Sequence, residues 1–213
     1  MTGAQAPRAF LLLGQAGERQ FHNTADHWAL LAGILRDIDL SARVISDDLA
    51  DLNAVNLARF DVILNFSTDL VATDDQIDAL LNAVHSGIGF VGLHAANATF
   101  RASDAYCAMI GSRFARHPPI KRFTVRIENA EHPIIQGIDS FEIEDERYEL
   151  NNVAEDMQVL AYAEGHPSIY TRQYGAGRVC YMAPGHDRRT IALPVYCKLV
   201  EQAVMWAARR RSL

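Results

Sequence analysis

The first half of the chain alternates short apolar runs with segments of helical period. Residues 9–13, 42–45, 61–65 and 89–93 are short and largely apolar. Strands that are apolar on both sides belong to parallel sheets covered on both faces, and intervening helices supply the cover. This alternation predicts an α/β protein with a flavodoxin-like parallel sheet sandwiched by helices.

Two helices of this half have predicted start signals. Asn23 or Thr24 is a suitable N-cap for a helix that continues to about residue 38. Thr73 and Gln76 are three residues apart and form a predicted capping box at the start of a second helix. Gly87 is predicted to end that second helix.

The second half has a different pattern. Residues 123–127 and 168–174 alternate between apolar and polar side chains, and a Gly-Ala-Gly turn at 175–177 separates the latter run from 179–182. Two such runs around a glycine-rich turn indicate an antiparallel hairpin. Helical spacing returns from about residue 193 to 209. We therefore expect an antiparallel extension of the parallel sheet within a single domain that spans residues 1–213.

Composition limits the classes of partner. The formal net charge is −6, and Arg209, Arg210 and Arg211 form the one basic run, which is expected to complement a helix dipole. This net negative charge argues against a surface that binds nucleic acid. The apolar run at 9–13 is too short for a membrane span or a signal peptide. No membrane partner and a cytoplasmic location are therefore expected, and the sequence is compatible with either a monomer or a homo-oligomer.

The segment Gly92-Leu93-His94-Ala95-Ala96 directly follows the predicted fourth strand. A strand that ends in Gly-x-nucleophile-x-small is typical of a nucleophile elbow, in which small residues permit a sharp turn that exposes one side chain. Here that residue is His94, which can bind a metal or transfer a proton but is a poor substitute for a thiolate. The alternative is a hydrogen-bonded histidine at a strand end.

Further polar side chains occur where strand-end loops are expected. They are His22, His27, His117 and His186, and the acidic–aromatic group Asp145, Glu146 and Tyr148. If these loops converge, nitrogen and oxygen ligands would suit a Zn-like divalent ion with one open position. The chain has no HExxH or paired CxxC motif, so ordinary polar roles for these residues are the alternative.

Some residues near these loops are candidates for substrate contacts. Arg113 is predicted to bind an anion or sugar hydroxyls, although a solvated arginine is the more common outcome. Asp145 and Tyr148 are predicted to bind substrate, with a solvated loop and core packing as the respective alternatives. Neither Cys107 nor Cys180 is well placed to serve as the thiol of a true amidase.

A series of short motifs in a fixed order resembles the ThuA-like (trehalose utilisation) family of the class I glutamine amidotransferase-like superfamily. The motifs are Gly89-Phe90-Val91-Gly92-Leu93-His94, Tyr106, Ile110-Gly111-Ser112-Arg113-Phe114, His117-Pro118, Glu131-His132-Pro133-Ile134, Gly137-Ile138, Asp145-Glu146-Arg147-Tyr148, Gly175-Ala176-Gly177-Arg178-Val179, Gly185-His186 and Trp206-Ala207. The resemblance implies an amidotransferase-like fold without the catalytic cysteine. It also implies a role in the use of trehalose and related disaccharides through 3-keto-sugar intermediates. Many members have Gly-Gly where this chain has Gly111-Ser112, so its substrate is expected to differ from theirs.

Two hypotheses follow from the residues and the resemblance together. In the first, the protein is an enzyme that acts on a sugar or 3-keto-sugar, with His94 and Glu146 as catalytic groups. His22, His117 and His186 are then the predicted ligands of a divalent metal. In the second, the old amidotransferase pocket is a non-catalytic module that binds a sugar or a partner. Both hypotheses exclude a working glutaminase.

Overall fold

The computed structural model describes residues 7–18, 21–36, 39–44 and 49–209. Ile38, Ile45, Arg210 and Arg211, at the ends of the predicted helix, strand and basic run, lie outside these residues. The strands are β1 (Arg8–Gln15), β2 (Asp39–Val44), β3 (Val62–Thr68), β4 (Gly89–Leu93), β5 (Arg113–Arg116), β6 (Lys121–Ile127), β7 (Phe141–Asp145), β8 (Glu149–Asn151), β9 (Gln158–Ala163), β10 (His166–Tyr174) and β11 (Gly177–Met182). The helices are α1 (Thr24–Ile34), α2 (Ala54–Leu57), α3 (Asp74–His85), α4 (Asp104–Ile110), α5 (Arg188–Ile191) and α6 (Pro194–Ala207), with 3₁₀ helices at His94–Ala98 and Pro133–Ile135.

Nine of the described strands form one mixed sheet in the order β2-β1-β3-β4-β11-β10-β9-β6-β7. The first five are parallel to one another. The remaining pairs, from β11–β10 to β6–β7, are antiparallel. The flavodoxin-like core and its antiparallel extension are therefore confirmed. A small second sheet pairs β5 with β8.

Apolar side chains on both faces of the sheet are buried, as expected for parallel strands between helical layers. Along β1, Leu11 and Leu13 pack toward the layer that contains α1 and α6, and Phe10 and Leu12 pack toward α3 and α4. The first of these two core clusters continues into the extension through residues such as Phe123 of β6. The sheet is thus one structural layer from its parallel end to its antiparallel end.

The predicted helix signals are present. Asn23 is the N-cap of α1, and its side chain accepts a hydrogen bond from the backbone of Asp26. Thr73 and Gln76 form the complete capping box of α3. The α3 helix ends at His85, and Gly87 follows with a φ of 119°. These local interactions fix where the helices begin and end between the strands of the core.

Four parallel strands end at the same edge of the sheet. The loop after β1 contains His22, the turn after β4 begins with His94, and the loop after β11 contains His186. Thr68 is the last residue of β3. Since ligands of open α/β sheets bind outside the carboxyl ends of the strands, this edge is where a functional site is expected.

Candidate functional site

His94 occupies a sharp turn between β4 and the 3₁₀ helix that follows. Its φ is 44°, in the left-handed region that is costly for a residue with a side chain. A Cβ at Gly92 would lie 3.0 Å from Cδ1 of Ile110, so a side chain there would require its neighbours to shift. The His94 side chain is 0% exposed. The backbone has the strained, sharp turn that the elbow motif predicts, but the side chain is buried instead of exposed.

The hydrogen bonds of His94 fix its ring. Nδ1 lies 2.8 Å from the carbonyl oxygen of Ala183 and must donate to it, since a carbonyl only accepts. In the neutral ring Nε2 therefore carries the lone pair. The Tyr148 hydroxyl lies 2.9 Å from Nε2 and donates to it. The lone-pair side of His94 thus faces the loops that converge on this edge.

His22 and His186 lie beside His94. The ring centroids are 5.1 Å apart for His22 and His94, 5.1 Å for His22 and His186, and 5.5 Å for His94 and His186. One ring nitrogen from each of the three residues lies within 4.8 Å of those from the other two. Three histidines that are remote in the sequence therefore form a compact triangle, which we call the histidine cluster.

The loop that presents His22 is held by side chains at the strand ends. The Gln15 amide donates to the carbonyl of His22 at 2.6 Å, and its oxygen accepts from the backbone of Phe21 and His22. Thr68 Oγ1 lies 2.9 Å from Nδ1 of His22. The Nε2 atom of His22 is buried without a hydrogen-bond partner. Within the histidine cluster, this nitrogen therefore has a lone pair or a proton that no hydrogen bond uses.

Asp145 holds the loop that presents His186. Its carboxylate accepts from the backbone N–H of Gly185 at 2.8 Å, of His186 at 3.3 Å and of Glu146 at 2.6 Å. Asp145 is 1% exposed. The expected substrate contact of Asp145 does not fit this placement, because the carboxylate is buried and already bonded. Its position instead joins the β7 end to the β11–α5 loop.

Glu146 is surrounded by three imidazoles. Its Oε2 lies 3.4 Å from Nε2 of His94 and 3.3 Å from Nδ1 of His186. Its Oε1 lies 3.4 Å from Nε2 of His117. The Glu146 side chain is 11% exposed and that of His117 is 34% exposed. The carboxylate therefore lies between the buried histidine cluster and solvent.

The environment of these groups shifts their protonation. Burial, and then the charges of His94 and His186, lower the pKa of His22 to about 2. Burial opposes ionisation of Glu146, but interactions with His186 and His94 outweigh it and hold the Glu146 pKa well below its ordinary value. Burial disfavours the charged form of His186, yet Glu146, Asp145 and Asp187 raise its pKa. The site thus combines a carboxylate with a neutral imidazole at neutral pH.

Tyr148 is a buried phenol in this site. Its ring packs at a tilt against His94 and Phe114, with centroid distances of 4.3 Å and 4.5 Å. Burial, with the charges of Glu146 and Asp145, raises the pKa of Tyr148 well above its ordinary value. Tyr148 therefore stays protonated and serves as a donor to His94, while its predicted contact with substrate stays a prediction.

Two predicted residues lie apart from the histidine cluster. His117 contacts Glu146 from the solvent side, and its Nδ1 lies 2.8 Å from the carbonyl of Pro118. The guanidinium of Arg113 bonds the carboxylate of Asp104 at 2.6 Å and the carbonyl of Arg101 at 3.0 Å. The structure therefore groups His94, in place of the predicted His117, with His22 and His186. Arg113 is directed to Asp104 of α4, and its predicted contact with substrate stays a prediction.

The three cysteines are free thiols that lie outside the site. Cys107 is in α4, Cys180 is in the middle of β11 and Cys197 is in α6. Burial raises the pKa of Cys180 far above its ordinary value, so this thiol stays protonated. With an imidazole at the elbow and no thiol beside it, the site lacks the nucleophile that a glutaminase requires.

Sequence reasoning missed the residues that support the cluster. Gln15 and Thr68 end two buried strands, which is the signal that would have placed them at this edge. His27 was a candidate ligand, but its Nε2 lies 3.2 Å from the carbonyl of His186 and it is not one of the three residues of the cluster. No sequence signal identifies the carbonyl of Ala183 as the partner of His94. Such contacts join loops that are distant along the chain.

The sheet order and the elbow together define a class of protein. The chain is an α/β protein of the amidotransferase-like type, in which the position of the nucleophile at the end of β4 is occupied by His94. The reactive edge of the sheet is then built from imidazole and carboxylate groups instead of a thiol.

The chain belongs to the ThuA family, whose description is trehalose utilisation, because the family model matches residues 9–207. This membership gives the protein a carbohydrate-related role. A search of curated proteins found no match.

Solved structures show the same fold. A ThuA-like protein from Parabacteroides merdae ATCC 43184 is 16% identical with a TM-score of 0.82, and the match covers 95% of this chain and 90% of that one. A cytoplasmic protein from Salmonella typhimurium LT2 is 16% identical with a TM-score of 0.70, over 93% and 99% of the two chains. A protein named as a GMP synthase component from Thermoplasma acidophilum is 12% identical with a TM-score of 0.59, over 96% and 95%. In the described part of the chain, no helix is long and apolar enough to cross a bilayer.

Proposed function

We propose that this protein is an enzyme that acts on a sugar or 3-keto-sugar of the trehalose type, with Glu146 as its proton-transferring group. The observation that carries the proposal is the position of the Glu146 carboxylate, within 3.4 Å of ring nitrogens of His94, His117 and His186. The carboxylate is ionised and can accept a proton, and its lowered pKa favours passing that proton on to a neighbouring imidazole. Membership of the ThuA family supports a carbohydrate as the substrate.

The chemistry of a keto-sugar suits this arrangement. A carbonyl group acidifies the C–H bond on the neighbouring carbon, and Glu146 would accept that proton as the C–H electron pair moves toward the carbonyl oxygen. A buried donor near the oxygen stabilises the resulting enolate. The Tyr148 hydroxyl, which stays protonated, supports the presence of such a donor. Return of the proton to either carbon restores neutrality, so the step needs no redox partner.

The exposure of the site supports access by a small molecule. Glu146, His117 and His186 keep 11%, 34% and 17% of their side chains exposed, whereas His94 lies below them at 0%. A polar ligand would therefore meet Glu146 from the side of His117. A cytoplasmic location belongs to this proposal, and the free cysteines and the cytoplasmic Salmonella neighbour support it.

Proton exchange provides the test. The protein is incubated with 3-keto-trehalose in deuterated buffer, and deuterium at the carbons next to the carbonyl is followed by NMR together with product formation. We expect exchange well above the buffer rate, and a loss of at least about 100-fold in Glu146→Gln. Glu142→Gln, an equal change on the exposed face of β7, should retain the wild-type rate.

Two results would contradict the proposal. Ligand binding without exchange or turnover would identify a non-catalytic sugar-binding module. Equal rates in Glu146→Gln and wild type would remove Glu146 from the reaction.

A further inference from the structure

The histidine cluster contains ring nitrogens whose hydrogen-bonding capacity is unused in the described structure. Nε2 of His22 and Nδ1 of His186 are buried without hydrogen-bond partners, and His22 is 7% exposed. Nδ1 of His186 has Oε2 of Glu146 at 3.3 Å only as an ion-pair neighbour. A buried polar atom without a partner costs free energy, so two such ring nitrogens in one cluster are available to bind a ligand.

The outer hydrogen bonds of the cluster prepare ring nitrogens for a cation. Histidines that bind metals usually donate their other ring N–H to a carbonyl, carboxylate or hydroxyl, which fixes the tautomer. His94 meets this condition through Nδ1 and the carbonyl of Ala183. His22 meets it through Nδ1 and the hydroxyl of Thr68, which can accept the N–H. Both rings then direct the lone pair of Nε2 inward.

We propose that His22, His94 and His186 are the three protein ligands of a divalent transition metal, with zinc as the best match. Zinc has Zn–N distances of about 2.0–2.1 Å, and catalytic sites combine three protein ligands with one open position. Tetrahedral ligands at that distance are about 3.4 Å apart. The observed nitrogens lie within 4.8 Å of one another, so side-chain shifts of about an ångström complete the site.

The charge around the cluster is suited to a cation. Glu146 has Oε2 near both His94 and His186, and its carboxylate supplies a negative charge beside the three imidazole rings. The Tyr148 hydroxyl donates to Nε2 of His94 at 2.9 Å, so a metal bound to this nitrogen would displace that hydrogen bond and leave the hydroxyl on the same side. We assign the open fourth position to this side, where Glu146 and Tyr148 would contact whatever ligand fills it.

This inference deepens the proposed function, since a metal there would polarise a sugar carbonyl beside Glu146. Metal binding is nevertheless measured without any sugar. Its success or failure is therefore separate from that of the enzymatic proposal.

The test uses Zn²⁺ and Co²⁺ alone. Purified protein is stripped with a chelator, loaded with each metal, and analysed for metal content and for the visible absorption of bound Co²⁺. We expect about one metal per chain, and a loss of affinity of at least about 100-fold in His22→Gln, His94→Gln and His186→Gln. His117→Gln is the matched control, because His117 touches Glu146 but lies outside the cluster, and it should keep the metal.

Circular dichroism and denaturant unfolding of each stripped variant show that it is folded. Absence of stoichiometric binding by the wild type would overturn the proposal. Binding that persists in all three cluster variants, or that is lost equally in His117→Gln, would also overturn it. If a metal binds but 3-keto-trehalose is neither exchanged nor converted, the metal centre stands and the enzymatic proposal fails.

Discussion

Individual residues at the strand ends decide what this site can do. His94 places an imidazole at the elbow, and its Nδ1–H donates to the carbonyl of Ala183. The remaining nitrogen can accept a proton or bind a cation, but it cannot form the thioester that a glutaminase requires. The residue at the elbow thus determines which chemistry this amidotransferase-like fold can perform.

Asp145 is predicted to be the main support of the His186 loop. Asp145→Asn keeps the shape of the side chain but removes its charge. The new NH₂ group would face backbone N–H groups, which would then lack an acceptor. We expect the free energy of unfolding to fall by about 2–3 kcal/mol. Urea denaturation of the metal-free protein measures this change. Glu142→Gln, on the exposed face of the same strand, should change the free energy by less than about 0.5 kcal/mol; equal effects of the two variants would argue against a supporting role.

His132 is predicted to make stability depend on pH at a place remote from the site. Burial and the charge of Arg178 lower the pKa of His132. Its Nδ1 accepts from the backbone of Ile134 at 3.2 Å, which requires an unprotonated nitrogen. Because the unfolded chain binds the proton more readily, this contribution to stability is present above a pH of about 6.5 and is lost as the pH falls below it.

The comparison that tests this is between wild type and His132→Asn, whose side-chain oxygen can also accept from Ile134. Between pH 7.5 and 5.5 the free energy of unfolding should fall less in the variant. The difference in slope cannot exceed about 1.4 kcal/mol per pH unit, the limit for one proton. Identical slopes in the two proteins would show that His132 is not the source.

At the scale of elements, the sequence patterns identified the strands and helices that are buried along most of one face or along their whole length. The strands β1, β3 and β4 and the helix α3 were predicted because apolar runs and a capping box are local signals. By contrast, β5 and β8 are short and partly exposed, so they have no comparable pattern. Their pairing depends on contacts between distant parts of the chain.

The same reasoning explains which site residues could be predicted. His94 follows a strand directly, so the elbow pattern placed it at the sheet edge. The alternation of Phe141, Ile143 and Asp145 in β7 would have indicated an inward carboxylate, but the neighbouring Glu residues suggested a solvated loop. The loops bring His94, and not His117, together with His22 and His186. The distances between loops cannot be derived from the spacing of these residues along the chain.

The β11–α5 loop depends on Gly185. Its φ is 133°, and a Cβ there would lie 2.5 Å from the hydroxyl of the buried Tyr196, which donates to the carbonyl of Pro184. Gly185→Ala should cost about 2–5 kcal/mol, from backbone strain together with overpacking. Tyr196→Phe in the same chain should recover part of this loss, because it removes the atom that is too close.

A matched control separates strain from the steric clash. Gly165, in the β9–β10 turn, also has a positive φ, of 84°, but a Cβ there meets nothing within 4 Å. Gly165→Ala should therefore cost only about 1–2 kcal/mol. Thermal or urea unfolding measures both variants. Equal losses for Gly165→Ala and Gly185→Ala would mean that contact with Tyr196 contributes nothing.

At the scale of the whole molecule, the parallel core and the antiparallel extension share one hydrophobic layer. The core cluster on the α6 face includes Leu13 and Val91 from the parallel strands and Phe123 and Ile143 from the extension. The α6 helix also contacts the extension through polar bonds. Gln202 donates to the carbonyl of Pro133 at 3.0 Å and Lys198 to that of Gly137 at 2.9 Å.

This shared layer predicts that the chain unfolds as one unit, as expected of a single domain. Above about 150 residues a single transition is not assured, and it requires contacts that couple the parts. We expect the fluorescence of Trp28 and Trp206, the far-ultraviolet circular dichroism and the hydrogen exchange of β6 and β9 peptides to give one denaturant midpoint. A midpoint at lower denaturant for the β6 and β9 amides would show that the extension unfolds separately. In that state His22, His94 and His186 would remain at the ends of the parallel strands, but their contacts with Glu146 and Tyr148 would be lost.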